Sequence, residues 1–462
     1  MKLVKSKNFN VNYLAQIINV KDFLPHPNPE VNKLKLVAVG SYRVIVSIDS
    51  KPGYYVYFPA LSQINPDFLR FCSLYRDTEL NANPEHKGFF EKNGKVTAIK
   101  LKGQVSEGFL IEWELFSNWL IDSVNKTVEP KENEEFDSAQ DESKSFWVCK
   151  KYIPKTSNQG SNNPNKGQKG KQPKGLDKLI ENQFRFHYDT VIIKKCPYVV
   201  QPDDIVSITT KVHGTSGISA YVLCNKPLNL KEKIARWLTK NPFHQYNYIY
   251  ASRTVVKNKY YNRNVTSGFY GVDVWKYADD IVRPKLTKGM TAYYEIIGYL
   301  PNGSYIQKGY DYGCIPPKSQ DEYKEGIHFK VLVYRLTHTN VDGFVHEFSA
   351  KEVQQWCQYN GLTPVTELYY GYAKDLYPQL YQELNGERIY TDNWCDKFID
   401  CLANDSERFY MEQPSPDCAN NVPHEGIVIK TEKMRSEAWK LKTFAFLQGE
   451  LKDESSNIED NA

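Results

Sequence analysis

Residues 208–217 read ITTKVHGTSG. Ile208 and the two threonines favour extended backbone, so a strand delivers Lys211 to its end, and Gly214 permits the tight turn that follows. A lysine in that place can be held at the floor of a pocket. An ordinary surface lysine can stand there too, with His213 as a turn residue, so its meaning depends on its surroundings.

Outward from this string, Leu176 to about Glu454 mixes strands and helices. IVSITTKV, GISAYVLC, YIYASRTVV, MTAYYEIIGYL, HFKVLVYRL, EGIVIKTE and AWKLKTFAFL read as strands. KEKIARWLTK and AKEVQQWCQYNG read as helices, the second stopped by Gly361. Four of the strands carry charges that an apolar strand does not need. Arg253, in YIYASRTVV, can hold a phosphate or ribose in bidentate fashion or lay its stem along the surface, and the sequence favours neither. In MTAYYEIIG, period-two alternation puts Tyr293, Glu295 and Ile297 on one face. The carboxylate there is costly unless a ligand hydroxyl, a metal or a structural cation answers it. Glu425 heads the strand in EGIVIK, and its carboxylate suits a hydrated Mg²⁺. In AWKLKTFAF, Lys440 and Lys442 share a face, with Trp439 and Leu441 opposite. Unless solvated, the two lysines need an anion, and phosphate is the obvious one.

The front of the chain reads differently. LAQIINV, KLKLVAVG, YRVIVSI, YYVYF, VTAIKL and EGFLIEW, between residue 11 and about 115, are short strands with turns and little helical periodicity. They predict a small barrel or sandwich. Glu129 to Glu142 is acidic and expected to be solvated, and FWVCKKYIP to be one more strand. Lys155 to Gly175, KTSNQGSNNPNKGQKGKQPKG, holds no large apolar residue and is expected to be a flexible basic linker. The expected division is 1–154, the linker 155–175, 176–454, and an acidic tail 455–462.

Composition sets outer limits. A length of 462 residues suggests two or three domains at about 150 residues each. With 59 Lys plus Arg against 55 Asp plus Glu, the net charge of +4 excludes a histone-like binder but leaves room for a local basic groove. The 33 tyrosines suit a β-rich protein or a nucleic-acid surface. Nine scattered cysteines without a CxxC pair argue against a disulfide framework and a thiolate zinc site. No apolar run approaches the ~18 residues of a membrane span, and MKLVKSKNFN lacks a secretory core. A cytoplasmic protein without a membrane partner is expected.

Lys-x-x-Gly, Ser-Arg, a strand glutamate, Glu-Gly before an apolar run, and Lys-x-Lys are together the parts for covalent nucleotidyl transfer. A lysine attacks an α-phosphate, cations neutralise the developing charge, and carboxylates hold metal and ribose. In this order the motifs resemble those of the covalent nucleotidyltransferases, the superfamily of ATP-dependent ligases and capping enzymes. The resemblance runs from Phe184 to about Leu451, carried by FRFHYDT, KVHGTSG, YASRTVVKN, MTAYYEIIGYLPNGSYIQKGYDYGC, VYRLT, EGIVIK and EAWKLKTFAFL. It is nearest to ATP-dependent RNA ligases with an N-terminal OB domain, and HPNPEVNKLKL is similar to tRNA-binding OB modules.

The resemblance implies an α+β chain: an N-terminal OB-fold β-barrel, then a mixed antiparallel-sheet adenylyltransferase domain of the ATP-grasp-like ligase type. It implies Lys211 as the residue that becomes lysyl-AMP, with His213 and Gly214 beside it in the nucleotide site. Arg253 and Glu295 would meet the ribose or phosphates, and Tyr334 would stack on adenine. Glu425 would hold the metal, Mg²⁺ or Mn²⁺, through water, while Lys440 and Lys442 bind the α-phosphate. ATP is the implied nucleotide, RNA or an RNA-containing duplex the partner, and a monomer the working state. The implied reaction seals 3′-OH/5′-phosphate breaks, nicks with a 3′-OH ribonucleotide above all. A GTP-dependent RNA capping transferase, a DNA ligase and a non-catalytic RNA-binding protein are the alternatives. This sequence departs from many relatives in having His213 and Arg335 where they have Asp, and in its long linker. The basic helix from Leu230 to Lys240 and the loop YIQKGYDYG are further candidates for nucleic-acid contact, against a solvated helix and an ordered turn.

Overall fold

The computed structural model describes residues 1–142, 144–153, 179–226, 228–239, 243–257, 270, 272–384, 386–433 and 437–452. The expected linker 155–175, its flanking boundaries and the expected tail 455–462 lie outside the described residues.

Period-two alternation shapes the second half. One sheet runs Val191–Ile192, Glu437–Lys442, Gly426–Thr431, Ile205–Thr210 and Glu367–Tyr372 from edge to edge. Its pairings are antiparallel except the first, which is parallel. Val206, Ile208, Ile427, Ile429, Trp439 and Leu441 are buried in one cluster with Phe398, Ile399 and Leu402 of the Trp394–Asn404 helix. The intervening residues of the same strands, Ser207, Thr209, Val428, Lys430, Lys440 and Lys442, line a cleft instead.

The second sheet runs His244–Ser252, Thr215–Asn225, Met290–Gly298, Phe329–Thr339 and Val345–Glu347 with antiparallel pairings, and Thr363–Pro364 joins Phe329–Thr339 in parallel. Tyr294 and Ile296 pack with Trp275, Ala278 and Val282 of the Val274–Val282 helix. Tyr293 packs with Ile218 and Ile249 in a separate cluster. Glu295 therefore lies between two core-facing neighbours and reaches the cleft.

Lys211 to Gly214 carry the chain from the Ile205–Thr210 strand of one sheet into the Thr215–Asn225 strand of the other. Glycine is required at 214 for space, since its φ is not in the left-handed region. An added Cβ would meet the Ile296 carbonyl oxygen at 2.5 Å and Glu295 Cγ at 2.7 Å. Close approach of the lysine crossing to the glutamate strand is the reason, where the sequence suggested a turn dihedral.

The front half consists of small antiparallel sheets. Ala15–Val20 lies between Gly53–Pro59 and Glu135–Phe136, with Gly108–Glu112 beyond Gly53–Pro59, and Leu34–Val39 lies between Leu24–Pro25 and Tyr42–Ser47. Among the described residues these ladders do not close into one barrel. The whole is a mixed α+β structure with mostly antiparallel sheets. Several local expectations change. EGFLIEW ends in a helix, Trp113–Val124, whose Phe116, Trp119 and Leu120 pack on Phe58, Phe68 and Phe136. Within the acidic stretch, Phe136, Asp137, Ser138 and Ala139 are buried rather than solvated, because Glu135–Phe136 and Ser138–Gln140 are strands. FWVCKKYIP makes two short strands, Ser145–Trp147 and Cys149–Lys151. AWKLKTFAFL is a strand only to Lys442 and then a helix, Phe444–Lys452. All nine cysteines are free.

The two halves are joined by polar contacts. Asn12 Nδ2 donates to the Thr190 carbonyl at 3.1 Å, and Asn12 Oδ1 accepts from Ile192 N at 2.8 Å. Lys194 pairs with Glu107, and Ser41 Oγ donates to Asp396.

Gly426 begins its strand at φ +131°, and a Cβ there would lie 2.0 Å from the Leu441 carbonyl oxygen. Gly426→Ala is therefore expected to lower stability by at least about 1–3 kcal/mol. Urea denaturation should show a reduced midpoint with an unchanged slope.

Candidate active site

The crossing strand aims Lys211 at a carboxylate. Lys211 Nζ lies 2.6 Å from Glu425 Oε1, and Lys442 Nζ lies 3.6 Å from the same oxygen. Burial pushes the Glu425 carboxyl upward, but Lys211, Lys442 and His213 outweigh it and hold its pKa below the ordinary value. Its second oxygen, Oε2, is buried without a hydrogen-bond partner, with His213 Nδ1 at 3.7 Å. His424, one residue earlier, is buried, which lowers its pKa to about 4, so it stays neutral beside Glu425.

Asp189 is the second centre of charge. Its carboxylate lies 2.7 Å from Lys440 Nζ and 3.1 Å from Arg253, and accepts from Asn10 Nδ2 at 2.8 Å. Burial works against ionisation of Asp189, but Lys440 and Arg253 prevail and hold its pKa well below the aspartate range. For the buried Lys440 amine, desolvation outweighs the attraction of Asp189 and lowers the pKa.

Arg335 forms a third pair. Its Nε and Nη2 donate to the two oxygens of Glu347 at 3.0 and 2.9 Å. The guanidinium lies 4.8 Å from the Tyr188 ring centre and 4.6 Å from that of Tyr293. Tyr334 Oη and Ser216 Oγ share a 3.2 Å hydrogen bond, and the Tyr334 ring meets His187 edge-on at 5.2 Å. Burial, with Arg335 nearby, lowers the His187 pKa to about 3.

His213 is fixed by its surroundings. Tyr312 Oη accepts from its backbone N–H and donates to its carbonyl, at 3.1 and 2.7 Å. The rings of Tyr310 and Phe446 meet the imidazole edge-on at 4.8 and 5.1 Å. Gln307 Nε2 donates to the Gly214 carbonyl at 2.9 Å. Tyr310 thus packs against the lysine crossing.

The structure brings Lys211, His213, Gly214, Arg253, Glu295, Tyr334, Glu425, Lys440 and Lys442 to one cleft. Asp189, His187, Glu347 and Gln307 line it too, and sequence reasoning missed them as site residues. The signal for Asp189 was available, since Lys440 needed an anion and FRFHYDT carries one. The residues fit a divalent cation held by few protein ligands. Glu425 Oε2 is orphaned, and no group of three or more His, Cys, Asp or Glu gathers into a cage among the described residues.

No family model matches the sequence, and no curated protein matches it. Solved structures of Naegleria gruberi RNA ligase do match in three dimensions. The structure with PPi aligns at a TM-score of 0.52 and 14% identity, over 96% of this chain and 100% of that one. A mutant with ATP and Mn aligns at 0.51 and 12% identity, with the same coverage. The chain has this fold. A lysine-to-methionine mutant of the same ligase with AMP and Mn aligns at 0.50 and 13% identity, over 94% of this chain and 98% of that one. The match spans both halves of the chain.

Asp189 titrates lower in the fold than in the open chain. Its stabilising contribution is therefore complete above the ordinary aspartate pKa of 3.8 and is lost as pH falls below it. Asp189→Asn leaves Lys440 buried without its counter-ion and is expected to cost about 3–5 kcal/mol at neutral pH. Denaturation followed from about pH 5 to about pH 2 should then lose stability less steeply than in the parent protein.

Proposed function

We propose that this protein is an ATP-dependent RNA ligase. The observation that carries the reading is Lys211 at the crossing between two sheets, 2.6 Å from Glu425, in a cleft shared with Arg253, Lys440 and Lys442. The shared fold with a ligase whose structures hold ATP, AMP or PPi supports it.

In this reading the unprotonated Lys211 amine attacks the α-phosphorus of ATP, a P–N bond forms, and the bond to the β-phosphate breaks to release pyrophosphate. Lys440, Lys442 and Arg253 stabilise the charge that gathers on the phosphate oxygens. Mg²⁺ or Mn²⁺, held by Glu425, would supply further charge neutralisation. A 5′-phosphate oxygen of RNA next attacks the lysyl-AMP phosphorus, and the P–N bond breaks to return the lysine. A 3′-hydroxyl then attacks the activated 5′-phosphorus, expelling AMP and closing the phosphodiester. Glu295 meets the ribose and Tyr334 the adenine face.

The finer parts of the reading follow the same resemblance. Residues 1–154 serve as an OB-type domain that holds the strand beside the break, and 176–454 as the nucleotidyltransferase. The preferred substrate is a nicked duplex with a ribonucleotide at the 3′-OH, worked on by a monomer in the cytoplasm. Among the described residues no helix is long and apolar enough to cross a membrane.

Protein incubated with α-labelled ATP and Mg²⁺ or Mn²⁺ should acquire a covalent label that resists alkali and is released by acid, as a P–N bond requires, and Lys211→Ala should reduce it to background. A label retained by that variant would defeat the assignment. Labelling by GTP instead of ATP would favour a capping transferase, and equal sealing of all-DNA nicks a DNA ligase.

A further inference from the structure

The Leu230–Thr239 helix is amphipathic the wrong way round for a helix packed on a protein core. At 100° per residue, Leu230, Ile234, Trp237 and Leu238 fall within an arc of about 100°. All four point to solvent, at 74%, 54%, 79% and 68% exposure. The partly covered residues are Glu232 and Ala235, on the opposite side. Lys231 and Lys233 flank the apolar arc, Arg236 lies next to Lys233, and all three are exposed. Glu232, the helix's acid, is occupied by Lys226.

We propose that this helix is a docking surface for an anionic lipid bilayer. A polar face turned inward and an apolar arc turned outward is the arrangement of an interfacial helix, whose apolar side chains enter the headgroup and acyl boundary. Trp237 suits that boundary, where an indole keeps one edge apolar and one wet. Lys231, Lys233 and Arg236 meet acidic headgroups. Charge complementarity separates this occupant from the others. A second copy packed on the same face would bring the three cations against their own counterparts, with no free acid on the helix to answer them. RNA would satisfy the cations but leave Leu230, Ile234 and Leu238 against phosphates and water. A bilayer satisfies both sets at once. A spanning segment requires length, whereas an interfacial helix requires an apolar arc along one side. This surface is independent of the ligase chemistry.

Sedimentation of the full-length protein with phosphatidylcholine vesicles, with and without phosphatidylserine, tests the proposal. The expected result is binding to the phosphatidylserine vesicles that falls steeply as salt rises, with little binding to the neutral ones. The double variant Ile234→Asp/Trp237→Asp should bind them at least roughly tenfold more weakly, with its melting temperature and RNA affinity unchanged. Absence of binding to acidic vesicles, or binding kept by the variant, would overturn the proposal. It would equally fail if the variant lost thermal stability, since the chain itself would then cover the face. Loss of RNA affinity in the variant would assign the helix to RNA, and conversion of a dimer to a monomer would assign it to a second copy.

Discussion

Charge neutralisation inside a cleft governs this structure. Lys440 is 7% exposed and Glu425 5%, and neither could be kept ionised there alone, because a buried charge without a partner is far more costly than a paired one. Asp189, Glu425 and Glu347 come from three separate parts of the chain and answer Lys440 with Arg253, Lys211 with Lys442, and Arg335. The sequence pointed to phosphate as the anion that Lys440 and Lys442 lack. In the fold, protein carboxylates already stand against them. In the proposed reaction a polyphosphate would exchange one set of anions for another, in a pocket whose charges are already paired.

The same pairing fixes Arg335 and His213. Arg335 is clamped by Tyr188 and Tyr293 and held by both oxygens of Glu347, so it acts as a rigid element of the cleft wall. His213 sets an imidazole beside Glu425, and its ring is enclosed by Tyr310 and Phe446.

Much of the cleft could be read in advance because strands obey period two. Trp439 and Leu441 against Lys440 and Lys442, and Tyr294 against Glu295, separate core from cleft by parity alone. The Ala350–Asn360 helix was equally legible, since Ser349 and Glu352 form a capping box and Gly361 closes it at φ 65°. Of the helices missed, Val274–Val282 does carry a side-chain cap at Asp273, but two others lack one. Trp113–Val124 follows its strand directly, with Glu112 at the N-cap making no side-chain cap bond, and Asn393 before Trp394–Asn404 makes none either. Asp189 with Lys440 and Arg335 with Glu347 were hidden for another reason. Which distant charges meet is fixed by tertiary approach, and residue type alone does not specify it.

One link reaches further than its size suggests. Asn10 donates to Asp189, the carboxylate that steadies Lys440 and Arg253, so a side chain from the opening residues tunes the field at the far wall of the cleft. The front half is consequently not an interchangeable cassette. A fragment starting at Leu179 would keep the reactive strands yet lose a dipole that helps keep their counter-ion in place. The two halves must vary in concert, and grafting another front end would call for re-matching that single amide.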